Sequence, residues 1–133
     1  MRLAAAGRLT SVDYVRIWAD ENGDTHLEDI TLDRVVNPAE HGVAELWVSP
    51  ASIVDRVQFL DVQAIDQMPA AHRAPRRQFV VFLDGWVRIS TSDGDARTLP
   101  AGSVVLAEDV HGKGHVTELE PGIRRVLQIP LDS

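Results

Sequence analysis

The stretch Arg77-Gln78-Phe79-Val80-Val81-Phe82-Leu83-Asp84-Gly85-Trp86-Val87-Arg88-Ile89-Ser90-Thr91 decides the fold class. From Phe79 to Leu83 both parities are apolar: Phe79, Val81 and Leu83 on one, Val80 and Phe82 on the other. Branched and aromatic residues in that arrangement mark a central strand covered on both faces. After Asp84-Gly85, Val87 and Ile89 alternate with Arg88 and Ser90, the period of two of a half-buried strand. An Asp-Gly pair between such runs favours the positive φ angles of a tight hairpin turn. Residues 77–83 are therefore expected to pair with residues 86–91.

The same signal recurs on either side. Asn22-Gly23 is expected to fold Val12–Ala19 against Thr25–Leu32, and Asp93-Gly94 to lead the second strand into Ala96–Leu99. Further strands are expected at Ala44–Val48, Val57–Val62, Ser103–Ala107, His115–Leu119 and Arg124–Ile129. Pro50, Pro69, Pro100 and Pro121 fall between these runs, where a missing backbone donor does least harm. No run of ten residues carries a helical stripe, and Pro38–Gly42 is long enough for one turn only. Nine or ten short strands at regular spacing predict an all-β sandwich or closed barrel. A chain of 133 residues fits one domain, taken here as residues 1–133.

Composition narrows the partners. Thirteen basic residues against 20 acidic ones give a formal net charge of -7, which argues against nucleic acid and against anionic membrane surfaces. Without cysteine there is no disulfide framework, thiolate metal site or cysteine nucleophile. The apolar run at the start stops after Ala6, short of an export signal, and no stretch approaches a membrane helix. A cytoplasmic protein is expected.

Two segments carry chemistry. The first is His72-Arg73-Ala74-Pro75-Arg76-Arg77-Gln78, followed after six residues by Gly85. The second opens with Pro100-Ala101-Gly102-Ser103, enters Val104-Val105-Leu106, and ends in the loop Glu108-Asp109-Val110-His111-Gly112-Lys113-Gly114 before His115. In order and spacing the two resemble the paired motifs of the cupin superfamily. They are most similar to small single-domain bacterial cupins that carry His-x-Ala-Pro-Arg-Arg-Gln and Gly-Lys-Gly-His stretches. The second histidine of the usual first motif is Ala74 here, and its glutamate is Gln78. The second-motif loop is about two residues longer than the common form and lacks its proline. The resemblance implies a double-stranded β-helix, or jelly-roll barrel, and a homodimer.

It also implies a site. His72, Gln78 and His115 stand where related proteins hold a divalent Zn, Fe, Mn, Ni or Cu ion. Two neutral imidazoles are good ligands for such metals, whereas an amide oxygen brings no charge to offset the ion. If residues 72–78 are extended, His72, Ala74, Arg76 and Gln78 share one face. An inward Arg76 would clamp a carboxylate, enolate or phosphate; an outward one would pair with Glu108 or Asp109. Phe82 is a candidate wall of a ligand pocket, and His111 could supply a further nitrogen from its loop. Gly112-Lys113-Gly114 lacks the spacing of a phosphate loop and reads as a rim segment.

Three functions follow. One is a metal-dependent enzyme of isomerase, lyase or dioxygenase type, acting on a small organic molecule. A second is a metal-free protein that binds or senses such a molecule, or moves a proton with His72 or His115. A third is a structural role with the pocket filled by side chains.

Overall fold

A computed structural model describes residues 12–64 and 69–131. Among the described residues there are eleven strands and no helix, so the fold is all-β. It follows that no helix there is long and apolar enough to cross a membrane. The strands are β1 (Tyr14–Ala19), β2 (Thr25–Ile30), β3 (Val35–Asn37), β4 (Leu46–Val48), β5 (Gln58–Ala64) and β6 (Gln78–Phe82). They continue as β7 (Val87–Thr91), β8 (Ala96–Leu99), β9 (Val104–Ala107), β10 (His115–Leu119) and β11 (Gly122–Pro130).

Six of them form one sheet in the order β2-β1-β9-β6-β11-β5, and three form a second in the order β10-β7-β8. The short β3 and β4 make a ribbon of their own. Among the described residues the large sheet ends at β2 and β5, so these strands lie in separate sheets and do not close into a barrel. Two turn signals set their hairpins as expected. Asn22-Gly23 joins β1 to β2 with Tyr14 opposite Ile30, and Asp93-Gly94 joins β7 to β8 with Ser90 opposite Ala96.

The third turn signal does not make a hairpin. β6 pairs with β9 and β11, while β7 pairs with β10 and β8. Both edges of β6 are thus occupied, and Asp84-Gly85 carries the chain from the large sheet to the small one. Gly85 does adopt the left-handed conformation, at φ 67°. The turn chemistry is right, but the strand's partners are chosen by tertiary packing. Residues 38–42 form no helical turn; Glu40 bridges Val43 around His41 and Gly42, both at positive φ.

The two main sheets face each other across Ile17, Phe82, Val87, Ile89, Val105 and Val126, which form the buried core. Alternation explains the set. Gln78, Val80 and Phe82 of β6 point inward, whereas Phe79 points outward and packs edge-on against Tyr14 at 5.1 Å. Each fully buried aliphatic or aromatic side chain contributes roughly 1.5–3 kcal/mol.

Candidate functional site

Between the sheets lies a cavity of about 450 Å³. Its walls are apolar, with Val80 and Phe82 from β6, Val126 from β11 and Ile89 from β7. Its polar lining is His72, Gln78, His115, Thr117 and Gln128, and no Lys, Arg, Asp or Glu among the described residues contributes to it.

Strand pairing builds the polar end. His72 and His115 exchange both backbone hydrogen bonds, each at 2.9 Å, as a directly opposed antiparallel pair. Opposed residues project to the same side of a ladder. Their rings accordingly meet with centroids 4.8 Å apart, tilted by 52°. Gly114 permits this approach. It sits at φ +76°, and a Cβ there would collide with the His72 carbonyl. The Thr25 hydroxyl, fully buried, donates to the Gly114 carbonyl at 2.7 Å and anchors the loop.

His115 is buried and His72 is exposed, at the rim. Behind His115, its Nδ1 lies 2.6 Å from Oδ2 of Asp109, a carboxyl with no exposed surface. With Nδ1 engaged by Asp109, Nε2 is the ring nitrogen left for a ligand. Gln78 is 3% exposed, and among the described residues its buried Oε1 accepts no hydrogen bond. The inner polar end therefore holds an unpartnered amide oxygen beside the His115 ring.

The sequence-derived candidates are distributed unevenly. His72, Gln78, His115 and Phe82 all line the cavity. Arg76 does not. Residues 75–77 bend, which breaks the extended parity, and its Nη2 lies 3.4 Å from Gln58 Oε1 in a separate hollow beside Asp55 and Arg56. The partners expected for Arg76 are taken by others: Arg16 and Arg77 grip Glu108 at 2.5 and 2.7 Å. Burial pushes the Glu108 carboxyl up, but the two guanidiniums outweigh it and hold it below the usual carboxylate range. His111 is exposed, with Nε2 3.4 Å from the Asp20 carbonyl and no place in the cavity wall. Lys113 pairs with Asp24 at 2.7 Å.

Asp109, Thr117 and Gln128 were not read as site residues from sequence. Thr117 follows from β10 parity once His115 faces inward. The signal for Asp109 is an acid six residues before a histidine, with Gly112 and Gly114 between them to fold the loop back. A scan of the chain against protein-family models and against curated proteins returns no match.

Among the described residues, no three His, Asp or Glu side chains converge as a metal cluster. The donors that do converge are two imidazoles, with a neutral amide oxygen on the same cavity wall. This set fits a weakly held borderline cation, and Asp109 would be the outer-shell carboxylate that commonly orients a metal-bound histidine.

Proposed function

We propose that this protein is a cupin-type jelly roll that binds a small organic molecule between its sheets, with His115–Asp109 and Gln78 engaging the ligand's polar end. One observation carries the reading: a buried amide oxygen without a protein partner shares an apolar cavity with a carboxylate-backed histidine. Buried polar atoms are almost always satisfied, and an exception in a roomy cavity points to a ligand. His115, oriented by Asp109, could also act as a general base toward a bound group, which would make the protein an acid–base enzyme.

The test is a thermal-shift and NMR titration with small aromatic and alicyclic compounds. A ligand raises the melting temperature by mass action and moves the signals of Gln78, Thr117 and Gln128. Filling the cavity with Ala74→Leu is expected to abolish both effects. Shifts that persist in Ala74→Leu, or that map outside the cavity, overturn the proposal.

The contact between the His72 and His115 rings favours a second reading, in which a divalent transition metal is held by His72, His115 and Gln78. Such an ion would polarise a ligand's oxygen. Titration with Zn, Mn, Ni and Fe(II) is then expected to raise the melting temperature by several degrees, and His72→Ala to remove the rise. No uptake of any of the four ions would end this reading. The proposed homodimer is supported by the position of β5 at the edge of the described sheet, where Phe59 is 76% exposed. A monomer by sedimentation, unchanged in Phe59→Ser, would oppose it.

A further inference from the structure

We infer that the cavity is built for an uncharged molecule with a hydroxyl at one end of an apolar body, such as a phenol or alicyclic alcohol, and not for a carboxylate or phosphate. The inference rests on the ligand-binding reading above and goes on to name the ligand's class.

Donors, acceptors and charge in the cavity wall select the ligand. Gln78 Oε1 is an acceptor without a donor. A buried acceptor without a donor calls for one, and a carboxylate or phosphate dianion brings none. Charge acts in the same direction. Among the described residues no Lys or Arg lines the cavity, and the arginines nearest it in the chain are placed outside its wall. Arg73 donates to the Gly112 carbonyl at 2.9 Å, Arg77 grips Glu108, and Arg76 lies in its separate hollow. An anionic head would lose its hydration without a Lys or Arg among the described lining residues to offset the loss. A hydroxyl avoids that penalty. It donates to Gln78 Oε1 and can still accept from the Thr117 hydroxyl or the Gln128 amide. Beyond that end, Val80, Phe82, Val105 and Val126 offer only apolar surface.

Three probes of one shape test this: 4-propylphenol, 4-propylbenzoate and propylbenzene. They are titrated into the full chain by NMR at neutral pH with EDTA present, so that no metal supplies the missing charge. The phenol is expected to bind about tenfold more tightly than either of the others, the yield of one neutral hydrogen bond. Gln78→Met, which removes the acceptor, is expected to bring the phenol close to propylbenzene. Benzoate binding as well as the phenol, or the phenol binding no better than propylbenzene, overturns the inference and leaves the ligand cavity standing. If none of the three moves a cavity signal, the ligand-binding reading falls and the inference with it. The comparison among probes is made on the unaltered protein, so it holds even if the variant does not fold.

Discussion

Replacing Gln78 by Met is expected to stabilise the folded chain while impairing its site. Gln78 sits on β6 facing the cavity, 3% exposed, with Oε1 lacking a protein donor. A buried acceptor left unsatisfied costs roughly 1–3 kcal/mol. Met has similar length, fits irregular space and carries no strong polar atom, so the backbone pairing of residue 78 with Ala107 and Pro130 is retained. Against the recovered cost stands whatever bond the amide nitrogen makes, at most about 0.5–1.5 kcal/mol. The net gain is about 1 kcal/mol, which raises the melting temperature by about 3–5 °C in a chain of this size. Urea unfolding followed by circular dichroism measures it as a higher midpoint at unchanged slope. A loss of about 1 kcal/mol or more would show that the amide is an internal anchor, and the ligand-facing acceptor would have to be abandoned.

The remaining predictions concern the dyad, the loop and pH. Long-range ¹H–¹⁵N spectra should find a proton on His115 Nδ1 held by Asp109, and Asp109→Ala should loosen it; a ring without a proton on Nδ1 in the unaltered protein would refute the pairing. Gly114→Ala should cost more than Gly94→Ala, by roughly 1–3 kcal/mol in chemical denaturation. Both glycines have positive φ, but only at Gly114 does a Cβ meet backbone, that of His72 and Arg73; equal costs would mean that the loop simply yields. The His26 imidazole joins Asp20 at 2.7 Å and Asp93 at 3.0 Å, tying the β1–β2 turn to the β7–β8 turn. Asp20 first, and Asp93 after it, hold its pKa above the usual histidine value, against the opposing effect of desolvation. Because the folded value is the higher one, the stabilisation is full below about pH 6.5 and is lost as pH rises through the folded pKa. The melting-temperature advantage over His26→Gln should therefore shrink as pH rises above about 6.5; a gap that widens with pH would reverse the assignment.

What was legible in the sequence is what local chemistry controls. Asn22-Gly23 and Asp93-Gly94 sit in hairpins because each joins two strands that lie next to each other in the same sheet. Asp84-Gly85 has the same turn chemistry, yet β6 already holds β9 and β11, so β7 goes to the other sheet. No local signal carries that information. β3 escaped notice because Val35-Val36-Asn37 is too short to show a period. At the site, the parity argument held on either side of a bend and failed inside it. Pro75 opens the bend, and Arg76 turns away while Ala74 and Gln78 keep their inward direction. The meeting of His72 with His115 is a bridge between remote segments. Motif order suggested it, and spacing alone could not have done so.

The same residues weigh against a purely structural role. A protein interior kept only for stability tends toward close packing, with few voids larger than a water molecule. Here the inward positions of β6, β10 and β11 include Gln78, His115, Thr117 and Gln128, where apolar side chains would fill space without a desolvation penalty. Asp109 deepens the point. It has no exposed surface, its Oδ1 has no protein partner, and its one side-chain bond orients a histidine on the cavity wall. A buried carboxylate so thinly satisfied lowers stability, and breaking its single pair would lower it further. Residues that weaken the fold while fixing the direction of one ring nitrogen are explained by what that nitrogen touches. If simultaneous replacement by Leu at 78, Val at 115 and Ala at 109 gave a more stable protein that still bound every ligand of the original, that explanation would fail.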